Sequence, residues 1–170
     1  MKTIIKKSIL LLFVVLLSNS IISQDRYSTY LNVNINGIVL WSKYSKEVIL
    51  QKLGTPSKYI KDIDEEDGIT EEFKYGTSVF GFTDGYLTRF NLKQNTFKIN
   101  NNIVIGVSSS QLDGILSSYG LIKNVIDNNG RKCKEFFPKL VNTNNYCDDP
   151  LVFYFDSNGK ITFMTFEDRD

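Results

Sequence analysis

The 170-residue chain contains no histidine, and that absence restricts the chemistry it can perform. Histidine is the usual general base of hydrolytic triads, the usual activator of a catalytic cysteine and the commonest transition-metal ligand. Without it, catalysis would rest on carboxylates, lysine, tyrosine or serine. We therefore expect a protein that is not an enzyme and has no cofactor.

The chain also lacks a strong excess of charge of either sign. It has 20 basic and 19 acidic residues, and 17 basic residues remain once Lys2, Lys6 and Lys7 of the N-terminal segment are set aside. Nucleic-acid-binding domains usually carry a basic patch or stripe. The sequence shows none, so we expect no nucleic-acid partner.

Cysteine is scarce, with only Cys133 and Cys147, separated by 13 residues. In an oxidising compartment such a pair is more often a disulfide than two thiols. Closing a loop of this size would stabilise the fold by roughly 3 kcal/mol in the chain-entropy model. We predict a disulfide, and two buried reduced cysteines are the alternative.

The N-terminal segment has the organisation of a secretory signal peptide. The three lysines precede an apolar run from Ser8 to Leu17, which is followed by Ser-Asn-Ser at 18–20 and Ile-Ile-Ser at 21–23. We predict a signal peptide over residues 1–23, with Ser20 as an alternative cleavage position. The run is shorter than the roughly 20 residues of a membrane span, although an uncleaved anchor is an alternative. The mature protein is expected to be periplasmic or extracellular, with no membrane span.

The remaining sequence repeats one order of elements, which divides it into residues 24–94 and 95–170. Each part reads as a strand, a short helix, a polar connection and a Phe-rich hairpin. The first strand is predicted from the alternation of Leu31, Val33 and Ile35 with asparagines, and its counterpart from residues 97–105. The predicted fold class is α+β, with two tandem repeats that each pack a short helix on a small antiparallel sheet.

Helix and turn signals support this division. Ser45 is the expected N-cap of the first helix, which ends at Gly54, and Ser108 with Gln111 forms a capping box for the second. The second helix is expected to use Tyr119 on its apolar face and to end at Gly120. The hairpins are predicted at Asp84-Gly85 and Asn158-Gly159, since tight primed turns need positive φ, with third strands near residues 72–75 and 134–137.

An acidic segment is the best candidate metal site. Asp62, Asp64 and Glu66 have the spacing of the first ligands of an EF-hand loop, but Asp67 stands where that loop needs glycine and Phe73 where it needs a bidentate glutamate. The interpretation favoured by this departure is a solvated charged loop with no metal. Weak calcium binding is the alternative.

Five aromatic residues are candidates for a protein-binding surface. Tyrosine and tryptophan favour such surfaces because they bury a large area and keep a polar group. Ordinary packing and sheet pairing are the alternative for each. The candidates are Trp41, Tyr44, Tyr75, Tyr86 and Tyr154.

The stretch Ile-Gly-Val-Ser-Ser-Ser-Gln-Leu at 105–112, with Leu116, Tyr119 and Gly120, carries a family resemblance. It is similar to the helix-opening motif of the β-lactamase-inhibitor-protein-like (BLIP-like) tandem repeats and of the related small outer-membrane assembly lipoproteins, the SmpA/OmlA (BamE-like) domain. The first repeat keeps the family's helix ending as Leu-Gly-Thr-Pro at 53–56. It departs at Trp41, where the family usually has glycine.

The resemblance implies two helix-and-sheet units whose sheets together offer a concave protein-binding surface. Members of this group bind proteins or support envelope assembly. We therefore expect a secreted, non-catalytic protein-binding module, an inhibitor or immunity-type protein for an exported enzyme. A structural or assembly component of the cell envelope is the first alternative, and a carboxylate-based hydrolase is the second.

Overall fold

The computed structural model describes residues 33–64, 68–139 and 145–167, so the predicted signal peptide at 1–23 lies outside the described residues. Two helices, α1 (Lys46–Leu53) and α2 (Ser109–Leu116), lie within these ranges. The ten strands there are β1 (Asn34–Ile35), β2 (Ile38–Val39), β3 (Lys58–Asp64), β4 (Gly68–Tyr75), β5 (Ser78–Thr83), β6 (Tyr86–Leu92), β7 (Gly120–Ile126), β8 (Lys132–Pro138), β9 (Leu151–Phe155) and β10 (Ile161–Glu167).

Eight of these strands form one antiparallel sheet in the order β3-β4-β5-β6-β10-β9-β8-β7. Each half of the chain supplies a helix followed by four consecutive strands, and β1 pairs with β2 in a separate two-stranded sheet. The two halves join through their last strands, since Leu92 of β6 lies opposite Met164 of β10. The predicted α+β fold of two helix-on-small-sheet repeats is therefore wrong, because the described residues are mostly β and share one large sheet.

The two halves are joined because the joining pairs two strand edges and packs two phenylalanine rings together. Two separate four-stranded sheets would expose four edge strands with unpaired backbone groups, whereas pairing β6 with β10 leaves only β3 and β7 at the edges. The pairing also sets Phe90 opposite Phe166, with ring centroids 6.1 Å apart and an interplanar angle of 27°. One continuous core then serves both halves.

The core covers one face of the sheet, which we call the core face. Phe73 and Tyr75 of β4 and Phe80 and Phe82 of β5 point into it, as expected for alternate residues of a strand. Tyr75, Phe80 and Phe97 form a ring cluster with centroids 5.0 to 5.8 Å apart. The helices contribute Ile49, Leu112 and Leu116 to the same core. Both helices are therefore fixed by packing, which short helices need.

The predicted helix starts are confirmed. The hydroxyl of Ser45 accepts from the backbone N–H of Val48, and that of Ser108 accepts from the N–H of Gln111 at 3.3 Å. The Gln111 side chain accepts in return from the N–H of Ser108, which completes the capping box. Gly54 ends α1 at φ 84°. Local hydrogen bonding thus fixes these boundaries.

The predicted end of the second helix is wrong. Helix α2 stops at Leu116, and Tyr119 is 51% exposed and not part of the helix. Gly120 is instead the first residue of β7. A Cβ atom there would lie 2.2 Å from the carbonyl oxygen of Phe137. Glycine at this position therefore serves the close approach of two strands.

One predicted tight turn is confirmed and the other is longer than expected. Asp84 and Gly85 have φ values of 50° and 83°, as a primed two-residue turn requires. In the second hairpin Gly159 has a positive φ of 71°, and Asp156 caps the turn by accepting from the N–H groups of Asn158 and Lys160 at 2.9 Å. That carboxylate replaces part of the backbone pairing and lengthens the loop.

Two further predictions are corrected. The acidic segment is not a loop over its first residues, because Asp62 and Asp64 lie in β3 and pair with Thr70 and Gly68. Residues 97–105 do not form a strand. Ile99 makes only isolated bridges there, and residues 100 and 101 turn the chain with φ values of 49° and 66°.

Candidate protein-binding face

The face of the sheet opposite the core, which we call the outer face, carries a row of aromatic and apolar side chains in the second half of the chain, next to the cross-strand pair Lys123 and Glu135. Four side chains lie next to one another there, one on each of β10, β9, β8 and β7. The register sets Phe163 opposite Tyr154, Tyr154 opposite Cys133, and Cys133 opposite Val125. We call these four residues the aromatic row.

A β-bulge places Phe163 in this row. The register of β9 and β10 shifts between Ile161 and Phe163, so Thr162 is the extra residue. Ile161 is 1% exposed on the core face, and regular alternation would put Phe163 on that face as well. The bulge reverses the alternation, so Phe163 stacks on Tyr154 at a centroid distance of 4.0 Å and an interplanar angle of 11°.

Arg131 lies over both rings and is held there by Asp127. Its guanidinium carbon is 4.6 Å from the centroid of Tyr154 and 5.4 Å from that of Phe163. Its Nε donates to Oδ2 of Asp127 at 2.7 Å, while Oδ1 accepts from the backbone N–H of Arg131 at 2.8 Å. A cation fixed over two stacked rings forms a preorganised contact surface.

The charges at this site are stable near neutral pH. Desolvation raises the pKa of Asp127, but the hydrogen bonds from the backbone and side chain of Arg131 and from Asn129 outweigh it and leave the pKa below its ordinary value. The hydrogen bond to Asp127 raises the pKa of Arg131. Burial, with Glu135 and Asp127 nearby, raises the pKa of the Cys133 thiol. Cys133 is therefore protonated and a poor nucleophile.

The row borders a cleft of about 920 Å³ at the end of the second-half sheet. Arg131, Tyr154 and Phe163 line one part of it, and Ser109 at the start of α2 lines another. The wall is thus mainly apolar with a few cationic and hydroxyl groups. The lining also includes Lys132, Lys134 and Asp156, so the cleft combines an apolar wall with three cations and one carboxylate.

The equivalent positions of the first half carry charges instead. Ile60, Glu72, Gly81 and Arg89 follow the same register across β3 to β6, with a matching bulge at Thr88. Arg89 donates to Glu72 at 3.0 Å, and Lys74 pairs with Glu72 at 2.9 Å. The outer face of the first half is therefore a salt-bridged surface.

The five predicted aromatic residues do not share one surface. Trp41 packs its ring edge-on against Phe166 at 6.4 Å and donates its backbone N–H to Leu87. Tyr44, whose hydroxyl accepts from the N–H of Val39, also packs against the core.

Tyr86 lies beside that group, with the ammonium of Lys43 5.2 Å from its ring. Tyr75 is 8% exposed in the core and donates its hydroxyl to the carbonyl of Gly54, so it contributes little to a surface. Of the five, Tyr154 is the one in the aromatic row. Sequence reasoning missed Phe163 and Arg131, although the turn sequence Asp-Asn-Asn-Gly-Arg at 127–131 was a visible signal for the Asp127–Arg131 pair.

The predicted disulfide is absent from the described residues. Cys133 and Cys147 are both buried and not bonded to each other. The backbone N–H of Cys147 donates to the carbonyl of Pro138, at the far end of β8 from Cys133. Five residues of extended strand span about 16 Å, whereas the Cα atoms of a disulfide lie within about 7 Å. The length of β8 therefore keeps the two sulphurs apart.

The acidic candidates do not form a metal site among the residues that are described. Asp62 and Asp64 lie two residues apart in β3, where Asp62 accepts from the N–H of Ile63. Glu66 lies outside the described residues. Within those ranges no group of three or more acidic or cysteine side chains is arranged to hold a metal ion, and neither helix there is long and apolar enough to span a membrane.

Comparison with known proteins gives one structural similarity. No protein-family model and no curated protein matches the chain. The chain is similar to the 1.5 Å crystal structure of an extracellular protein containing a SCP domain from Bacillus anthracis str. Ames, with 13% identity and a TM-score of 0.44. The similarity covers 76% of this chain and 44% of that protein. A likeness of this degree implies neither a shared fold nor a shared activity.

Proposed function

We propose that the chain is an exported, non-catalytic module that binds another protein through the outer face of its second half. The observation that carries this proposal is the aromatic row, in which Tyr154 and Phe163 stack under Arg131. Tyrosine and arginine are enriched among residues that dominate binding energy at protein interfaces. Their fixed geometry lowers the entropic cost of association.

The non-catalytic part of the proposal rests on the chemistry of the same face. The raised pKa of Cys133 keeps its thiol protonated, and the carboxylate of Asp127 is occupied by Arg131. The chain has no histidine to supply a general base. An inhibitor or immunity-type role follows from the resemblance to the BLIP-like repeats and belongs to the same proposal.

Export is proposed from the signal-peptide pattern of residues 1–23. N-terminal sequencing of the mature protein tests it, and we expect Gln24 as the first residue. An intact N-terminus on a protein recovered from the cytoplasm would contradict export. That result would not test the proposed binding face.

The binding face is tested by affinity capture of the tagged full-length chain from its native envelope fraction. We expect one stoichiometric partner, and the double variant Tyr154→Ser/Phe163→Ser should weaken its binding by about thirtyfold, the effect of losing roughly 2 kcal/mol at an interface centre. The matched control is Glu72→Ser/Arg89→Ser at the equivalent first-half positions. This control should bind like the unmodified chain.

Two results would overturn the proposal. One is recovery of nothing above background, and the other is an equal effect of the two double variants on binding. Circular dichroism melts should first establish that both variants fold. Cofractionation with the outer membrane or cell wall, without a stoichiometric partner, would instead favour an envelope component.

A further inference from the structure

The two edges of the eight-stranded sheet differ in how they are protected. Four of the seven residues of β3 are charged, and Pro56, which has no backbone N–H, lies just before it. Charged residues and prolines are the usual means by which proteins prevent pairing at an edge. Strand β7 has the sequence Gly-Leu-Ile-Lys-Asn-Val-Ile, with Lys123 as its single charge.

The geometry of β7 suits the addition of another strand. Among the described residues it pairs with β8 alone, over seven residues with no register shift, so its other edge is regular. Leu121 is 39% exposed and Ile126 is 67% exposed. The ammonium of Lys123 lies 4.4 Å from the ring centroid of Phe137 on β8. Glu135 lies opposite Lys123 on β8, so the other side of Lys123 faces the position that an added strand would take.

We infer that the β7 edge accepts an extended segment of a protein partner as a ninth strand. An unpaired edge offers backbone donors and acceptors that only another extended chain can satisfy in register. Val125 is the last member of the aromatic row, so the added strand would prolong that row. The inference rests on the proposed protein-binding function and names the partner's binding segment.

Charge defines the chemistry of that segment. Side chains directly opposite one another on antiparallel strands interact, and opposite charges there are favourable while like charges are not. The fitting segment therefore has a carboxylate opposite Lys123 and apolar residues opposite Leu121 and Val125, which share its face of β7. Small β-branched residues suit the other face.

The same rule disfavours a second copy of this chain as the occupant. A two-fold antiparallel pairing that uses all seven residues of β7 sets Lys123 directly against Lys123. Shifting the two-fold axis to Ile122 or Asn124 shortens the pairing and sets Lys123 against Leu121 or Val125. Neither register supplies a carboxylate, so a foreign acidic segment fits better.

The test uses the isotope-labelled full chain and the capped heptapeptide Thr-Val-Thr-Glu-Thr-Val-Thr, whose palindromic sequence fits either strand direction. Backbone amide signals of Gly120–Ile126 should shift saturably as peptide is added. A matched peptide with lysine at the centre should bind about fivefold more weakly. The variant Lys123→Glu should reverse this preference, which a non-specific effect would not do.

Three results would overturn the inference. They are the absence of β7 shifts up to millimolar peptide, a response independent of the central charge, and concentration-dependent β7 shifts without peptide, which would assign the edge to a second copy. If any of these occurs while Tyr154→Ser/Phe163→Ser still weakens partner binding, the edge inference fails and the proposed function stands. Loss of capture by the first-half control would instead count against the proposed function.

Discussion

The two halves of the sheet share one backbone plan and use different side chains at equivalent positions. On the core face, Phe73 of the first half corresponds to Lys134 of the second, and Leu50 of α1 corresponds to Asp113 of α2, counted from the N-caps. Lys134 is 7% exposed and its ammonium contacts the Asp113 carboxylate and the carbonyl of Ser109. Two apolar residues in the first half and an ion pair between buried Lys134 and half-exposed Asp113 in the second thus occupy equivalent positions.

On the outer face the contrast is reversed. The first half has Arg89 lying across Gly81 to reach Glu72, whereas the second half has Phe163 stacked on Tyr154 beside Cys133. At equivalent positions, a charged pair replaces apolar residues under the second-half sheet, and stacked rings replace a charged pair on its outer face. This exchange leaves the backbone unchanged and gives only the second half an aromatic surface suited to binding.

Among substitutions that test this difference between the halves, Asp113→Ala is expected to have the largest effect on stability. Lys134 would remain buried with its charge opposed only by the carbonyl of Ser109. Because Asp113 is half-exposed, the loss in the free energy of unfolding should be smaller than for a fully buried pair, at about 2 kcal/mol, measured by urea denaturation. The double variant Lys134→Met/Asp113→Leu restores apolar chemistry like that of the first half and should be nearly neutral. An unchanged urea midpoint for Asp113→Ala would show that the ion pair does not contribute to stability.

The next effect is expected from Gly81→Ala in the first half. An added Cβ would lie 2.3 Å from both Cγ and Nε of Arg89. Displacing Arg89 should break its contact with Glu72 and cost about 1 to 2 kcal/mol. In an Arg89→Ala background the cost should largely disappear, because the clash is removed. Additive losses in this double-mutant cycle would contradict the assignment of the clash to Arg89.

A third difference, one of degree, is tyrosine titration at alkaline pH: burial also raises the pKa of Tyr154 in the second half, but the larger shifts are in the first half. Burial raises the pKa of Tyr75 to about 12, and burial with the hydrogen bond to Glu71 raises that of Tyr59 to about 12. An unfolded tyrosine ionises near pH 10, so between about pH 10 and 12 the unfolded chain releases protons that the folded chain retains. The free energy of unfolding should therefore fall as pH rises through this window.

Tyr75→Phe should make that fall shallower, as measured by urea denaturation at a series of pH values. Tyr119→Phe replaces a side chain that is 51% exposed and serves as the matched control. Equal pH dependence of Tyr75→Phe and the unmodified chain would contradict the role of Tyr75.

The smallest effect concerns the cysteines, both of which lie in the second half. Because β8 separates them, we expect reducing agent to leave the melting temperature of the folded protein unchanged. Alkylation in denaturant after mild oxidation should label both thiols, as read by intact mass. Recovery of an unlabelled, oxidised species would show that a disulfide forms after all.

Local features of this fold were predictable because short-range contacts create them. Ser45 and Ser108 cap helices through hydrogen bonds to residues three positions away. A tight primed turn requires positive φ values, and Asp84 and Gly85 are residues that adopt them readily. The core strands of both hairpins were also visible as Phe-rich runs. Strand β3 was missed because its exposed edge position gives it the composition of a polar loop.

The candidate site was less predictable because it depends on register. Tyr154 was identified, but Phe163 reaches the outer face only through the bulge at Thr162. The strict alternation of apolar and polar residues, by which strands are recognised in a sequence, does not reveal a bulge. The path of the chain placed Trp41, Tyr44 and Tyr75 on the core side and Tyr86 beside Lys43, away from the row. Composition identified the kinds of residue at the site and did not reveal their arrangement.

The amino-acid sequence by itself therefore determined the helix starts, one tight turn, the apolar strands and the absence of histidine chemistry. Each of these depends on residues near one another in the chain or on residue type alone. Tertiary structure decided that β6 pairs with β10, that Cys133 and Cys147 stay apart, and that rings line the outer face of one half. These features depend on pairing between strands distant in sequence, where edge burial and core packing select among registers that local preferences leave equivalent.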